Sequence, residues 1–97
     1  MLLIAELQAR PDSLKEVTAL LDGLTDFAAT EPGCLSYTYY YDSAVPNRLI
    51  VVERYRDRAA CDSHLAAEPV QNALKRFETL LAQTPSLRFG SSVPNQA

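Results

Sequence analysis

Two strand-like runs lie close together in the middle of the chain, and they constrain the fold more than any other feature. Residues 34–42 read CLSYTYYYD and residues 48–56 read RLIVVERYR, with the turn-forming segment SAVPN between them. Runs this close predict an antiparallel hairpin. Side chains alternate faces along a strand. Leu35, Tyr37, Tyr39 and Tyr41 are therefore expected on one face, and Ser36, Thr38, Tyr40 and Asp42 on the other. The second run divides into Leu49, Val51, Glu53 and Tyr55 against Ile50, Val52, Arg54 and Arg56. Both faces carry bulky apolar groups, so both need cover. A chain of 97 residues suits one domain and buries a modest fraction of its surface, so its stability leans on a partner. The economical cover is helices on one face and the sheet of a second copy on the other, a homodimer joined through its sheet faces.

The rest of the chain fits that plan. Residues 2–9, LLIAELQA, are apolar and stop at Arg10-Pro11, which predicts a strand. Residues 11–33 predict a helix. Ser13 and Glu16 match a capping box, Leu14, Val17, Leu21, Leu24 and Ala28 form an apolar stripe, and Pro32-Gly33 ends it. Gly23, mid-pattern, is read as permitting close packing on the sheet. Asp57 is the expected N-cap of a helix over 58–68. Pro69 opens a second helical segment over 69–83, with Val70, Leu74, Phe77 and Leu81 as its stripe. Residues 86–92 read as a last strand and 93–97 as a loose tail, leaving one domain over 1–92. The order β-α-β-β-α(α)-β is that of a ferredoxin-like α+β fold, an antiparallel sheet with helices on one face.

Charge and composition exclude several function classes. Net charge is −3 and the arginines are interspersed with acids, which argues against nucleic acid or an anionic membrane as partner. The N-terminus lacks a basic stretch and Glu6 interrupts its apolar run, so a signal peptide is not expected. No apolar run approaches the ~20 residues of a membrane span. The expected location is cytoplasmic. Cys34 and Cys61 fit no redox or zinc spacing. They are read as reduced, buried thiols, and no metal is expected.

Three motifs follow one another: E-P-G-C-L-x-Y from Glu31, V-x-E-R-Y from Val51 and D-x-x-A-x-x-x-H-L from Asp57. Together they resemble the antibiotic biosynthesis monooxygenase family. The resemblance implies a dimeric α/β barrel with a small pocket in each subunit between sheet and helices. It further implies oxygenation of a small aromatic substrate, a quinol or polyketide, by O₂ without metal, flavin or other cofactor. Some members of the wider superfamily bind or degrade haem. On this resemblance Tyr37, Tyr39, Glu53 and Tyr55 line the pocket and His64 is the candidate catalytic base. In the polyketide oxygenases an asparagine and a tryptophan stand where this chain has Val51 and Tyr55. Cys61 replaces a tyrosine of their site, and Lys75 corresponds to their helix arginine. The chain contains no tryptophan. These departures favour the quinol-oxidising branch over polyketide or haem chemistry.

The residue types suit that reaction. A phenol must lose a proton before its ring readily passes an electron to O₂, and a histidine titrates in the range where it can take that proton. Tyrosines can orient a bound phenol while their rings pack on it. Each residue also has a structural reading: His64 bonded to a backbone group or to Glu53, Glu53 bracing a helix or neighbour, Tyr37 and Tyr39 as core aromatics, Cys61 as a small core residue. The alternative function is a non-catalytic dimeric module that binds a small molecule in the same pocket; haem binding is a third.

Overall fold

The hairpin forms, with one irregularity. In a computed structural model that describes residues 1–94, β2 (Cys34–Tyr41) pairs antiparallel with β3 (Arg48–Tyr55). In the connection, Asp42 Oδ1 accepts the amides of Ala44 at 2.8 Å and Val45 at 3.2 Å. Asn47 closes the turn at φ 61°, a left-handed conformation that asparagine tolerates better than most residues. The register slips between Cys34 and Ser36. This bulge extrudes Leu35, which is 66% exposed, and places Cys34 opposite Tyr55. Leu35 therefore leaves the face it was expected to share with Tyr37, Tyr39 and Tyr41. Strict alternation counts one residue per step, and a bulge inserts an extra one.

β1 (Leu2–Gln8) lies beside β3, and β4 (Ser86–Gly90) lies beside β1, giving the antiparallel order β2-β3-β1-β4. α1 (Leu14–Ala28) connects β1 to β2, while α2 (Arg58–Ala66) and α3 (Glu68–Leu80) connect β3 to β4. This is the ferredoxin-like α+β architecture. The main core lies between the sheet and the pair α1 and α3. Ala5, Leu7, Leu49 and Val51 meet Val17, Leu21, Leu24, Val70, Ala73, Phe77 and Leu80. A smaller cluster of Leu3, Tyr55 and Cys61 lies beneath α2, with Cys34 and Leu65 packed against it.

Three local expectations change. The capping box at α1 does not form. Ser13 Oγ bonds Asp12 at 3.4 Å, and the Glu16 carboxylate pairs with Arg76 of α3. A tertiary ion pair has taken the carboxylate that the box requires. The buried stripe of α3 runs Val70, Ala73, Phe77 and Leu80, leaving Leu74 40% exposed. Gly23 is exposed, and a Cβ there would meet nothing within 4 Å, so it serves no close packing on the sheet. By contrast, Asp57 caps α2 as expected, its Oδ1 accepting the Ala60 amide at 2.8 Å. Pro69 lies in the first turn of α3.

The face of the sheet away from the helices carries half-buried Leu2, Ile4, Ile50 and Val52 with exposed Tyr40. Glu6 sits among them, 3.7 Å from Arg48 and 3.5 Å from Arg88. No helix among the described residues is long and apolar enough to cross a membrane. The tail expected over 93–97 lies, from residue 95 onward, outside the described residues.

Candidate active site

Alternation along β3 turns Glu53 and Tyr55 toward the helices, beside Val51 and Leu49. Two residues later Asp57 fixes the start of α2, which sets the helix phase. Cys61 and His64, three apart, then fall on its inward face. Gly33 makes this approach possible. A Cβ there would lie 2.5 Å from Ala60 Cβ, so only glycine lets α2 come this near to the start of β2. The segment between α1 and β2 brings in one more side chain, Glu31, from the turn just past the end of α1.

These elements enclose one imidazole between two carboxylates. His64 Nδ1 donates to Glu31 Oε1 at 2.5 Å, and His64 Nε2 faces Glu53 Oε1 at 3.6 Å. Tyr55 donates its hydroxyl to Glu53 Oε1 at 2.5 Å. The rings of Tyr55, Tyr37 and Phe27 surround the imidazole, with centroids 5.4, 5.7 and 6.1 Å away. Glu53, Tyr55 and His64 are 5, 1 and 2% exposed, whereas Glu31 remains partly open to solvent. A depression of about 300 Å³ opens on the Glu31 side, lined by Glu31, Gly33, Cys34, Arg56, Ala60 and Ser63 among others.

Burial sets the electrostatics. It raises the Glu53 carboxyl above its usual range; the Tyr55 hydroxyl and His64 pull the other way, and the Glu31 charge adds to the rise. Tyr55 is raised by burial and by donating to Glu53, and Tyr37 by burial and the nearby Glu53 charge. Both phenols are thereby held protonated, and Tyr55 donates its proton to the bond with Glu53. An imidazole facing a carboxylate on each nitrogen can donate toward both only as the imidazolium. Without that proton on Nε2, a lone pair would face Glu53. Burial also raises the thiols of Cys34 and Cys61. A thiol reacts as thiolate, so Cys61, fully buried beneath Tyr55, is placed as a core residue.

Of the sequence candidates, Tyr37, Glu53, Tyr55 and His64 come together and Cys61 packs under them. Tyr39 does not join them. Its hydroxyl bonds the Asp22 carboxylate and reaches the Thr18 carbonyl at 3.5 Å, tying β2 to α1. The bond to Asp22 pushes Tyr39 up to about 12. Lys75 is exposed on α3 and takes no part in the cluster. Glu31 was not foreseen. The available signal was its place, a carboxylate just beyond the C-terminus of α1, where the helix dipole disfavours negative charge. Among the described residues no group of His, Cys, Asp and Glu is arranged to hold a metal ion.

Comparison with known proteins places this geometry in a wider set. A family profile described as antibiotic biosynthesis monooxygenase matches residues 1–76. Rv0793 of Mycobacterium tuberculosis, whose name proposes a monooxygenase, is 42% identical over 80 residues, covering 82% of this chain and 78% of its own. Superposed on the Rv0793 structure, the chain gives a TM-score of 0.89 at 30% identity, covering 99% of this chain and 97% of that one. A crystal structure described as an antibiotic biosynthesis monooxygenase gives a TM-score of 0.88 at 28% identity, covering 97% and 100%. The uncharacterized protein sll1783 of Synechocystis sp. is 29% identical over 83 residues, covering 86% of this chain. The match spans only 56% of that relative's length.

Proposed function

The chain belongs to the antibiotic biosynthesis monooxygenase family, and from that premise we propose that it oxidises a small aromatic substrate, a quinol or related phenol, with O₂ and no metal or flavin. One observation carries the reading: a buried imidazole held between two carboxylates and walled by three aromatic rings. The cluster takes the substrate's proton. The electron-rich anion then reduces O₂ in a site that the rings keep dry. A quinol would give up two electrons and two protons, yielding quinone and hydrogen peroxide. An anthrone-type methylene would take one oxygen atom as carbonyl and release the other as water.

The reading includes a cytoplasmic homodimer. Support comes from the family, which is generally dimeric, and from the unpaired apolar face formed by Leu2, Ile4, Ile50 and Val52. The test is oxygen consumption by purified protein given hydroquinones and anthrones, against autoxidation blanks and His64→Ala. Saturable uptake above the blank, lost in the variant, is the expected result. Uptake equal to the blank across the panel would remove the enzymatic reading.

A second reading has its own support. His64 is only 2% exposed, and Val51 and Tyr55 stand where polyketide oxygenases carry asparagine and tryptophan. Both suit a module that binds an aromatic ligand without turning it over. A thermal shift on ligand addition with no oxygen uptake would favour it.

A further inference from the structure

The imidazole is the chemical centre of the cluster but not its accessible end. Its two nitrogens are turned to Glu31 and Glu53, and the ring is closed off by Phe27, Tyr37 and Tyr55. Glu31 alone among the four ionisable partners, Glu31, Glu53, Tyr37 and Tyr55, combines direct contact with His64 and a place in the wall of an open depression. Across that depression stands Arg56. Its amide donates to the Gly33 carbonyl at 2.8 Å, continuing the β2–β3 ladder, and its guanidinium lies 3.7 Å from where a Gly33 Cβ would be. Among the described residues Arg56 pairs only with its neighbour Asp57, at 3.3 Å, and both side chains are more than half exposed. Such a pair is weak and easily exchanged. The wall thus offers a carboxylate backed by an imidazole, a guanidinium free to change partners and the Ser63 hydroxyl, in a space at the small end of the range for ligand pockets.

We propose that this depression is the docking mouth for the ionisable hydroxyl of an aromatic ligand, with Glu31 as the proton acceptor and Arg56 as the group that holds the resulting oxyanion. The inference rests on the oxidase reading for its consequence but not for its chemistry. The O–H bond of the ligand breaks, an O–H bond forms on Glu31, and the negative charge passes from the carboxylate to the ligand oxygen beside Arg56. His64 Nδ1–H steadies Glu31 in position. Other charged or titratable groups around the mouth are Glu53 from β3, Cys34 from β2 and Asp57 at the start of α2. Arg56 is the cation of this wall, so an anion formed there settles against it.

The test is direct titration with 4-nitrophenol, whose visible absorption band reports its phenolate, at a pH one unit below the probe's own pKa. The wild-type protein is expected to bind it as phenolate, with a saturating rise of that band. Arg56→Ala should weaken binding by about tenfold, the worth of one charge-assisted contact, and Arg56→Lys should restore part of it. Glu31→Gln should bind the probe without raising that band above the level of the free probe. 4-Nitroanisole, which has no ionisable hydroxyl, should bind weakly and equally to wild type and Arg56→Ala. If the anisole binds as tightly as the phenol, or Arg56→Ala binds like wild type, the proposal is overturned. Should Glu31→Gln fail to fold, the exposed Arg56 variants decide the matter. Phenolate formation without oxygen uptake from any quinol would end the oxidase reading and leave the mouth intact. Oxygen uptake indifferent to Arg56 and Glu31 would do the reverse.

Discussion

Tyr55→Phe isolates the energetics of the buried cluster. The ring stays packed with Leu3 and Cys61, and only the hydroxyl is lost. That hydroxyl donates to Glu53 Oε1 at 2.5 Å, and the two residues are 1 and 5% exposed. Water cannot reach the vacated position without rearrangement. His64 Nε2, at 3.6 Å, is too far to replace the bond. A hydrogen bond to a charged group contributes about 1.5–3 kcal/mol. The burial here puts the loss near the middle, about 2 kcal/mol. For a domain of this size each kcal/mol moves the melting temperature by about 4–8 °C, so the variant should melt roughly 8–16 °C lower. Thermal and urea unfolding at neutral pH and one fixed protein concentration would measure it, since the proposed self-association would add a concentration-dependent part. Lowering the pH protonates Glu53 and removes the charge assistance. The gap between variant and wild type should then shrink toward the ~1 kcal/mol of a neutral bond. A variant that melts within about 2 °C of wild type at neutral pH, where a loss of even half a kcal/mol would show, would refute the reasoning.

Gly23→Ala should stabilise the protein by about 1 kcal/mol, because the site is an exposed helix interior with open space for the methyl group; an unchanged urea midpoint would count against this. Gly33→Ala should cost about 1–3 kcal/mol by overpacking, since its Cβ would meet Ala60 Cβ at 2.5 Å, and chemical denaturation gives the sign. Burial raises the Glu53 carboxyl, so over the window between its unfolded and folded pKa the native state holds a proton that the unfolded chain has released. Its contribution to stability is complete below the unfolded value and lost as pH rises through the folded one. Wild-type stability should therefore fall with rising pH relative to Glu53→Gln, and parallel pH curves from urea unfolding would exclude the effect. Val52→Lys, on the open sheet face, should shift sedimentation toward monomer with little change in the far-ultraviolet circular dichroism spectrum, and an undisturbed dimer would place the interface elsewhere.

What the sequence revealed and what it hid divide along a physical line. Local rules found the hairpin, the ferredoxin-like order, the Asp57 cap and the Pro69 start, because each is decided by residues within a few positions of one another. Period-two alternation also put Glu53 and Tyr55 on one face, while the inward phase of Cys61 and His64 on α2 is a finding of the structure. The bulge at Leu35 was hidden because it depends on how β2 meets β3, not on β2 alone. The failed capping box was hidden for a similar reason: Arg76, sixty positions away, claims Glu16. Tyr39 shows the limit of reading faces. It points to the helix side as alternation requires, yet α1 lies over it and Asp22 takes its hydroxyl. The face was legible and the neighbour was not.

Glu31 shows most about how the site is assembled. Its carboxylate is unfavourable where the sequence puts it, past the end of α1 with no basic residue in the last turn. The compensation comes from another element, the Nδ1–H of His64. His64 in turn can face Glu53 only because Gly33 admits α2 close to the sheet. The cost at one helix end is thus repaid by a contact that exists only when α1, β3 and α2 have all docked. The same contact joins the buried imidazole to a partly exposed carboxylate. A histidine this enclosed could not by itself meet a substrate, and a lone surface glutamate would have no partner to hold its carboxylate in one place. Joined, they give the cluster a protected interior and a reachable end, which a proton acceptor for a hydrophobic phenol requires.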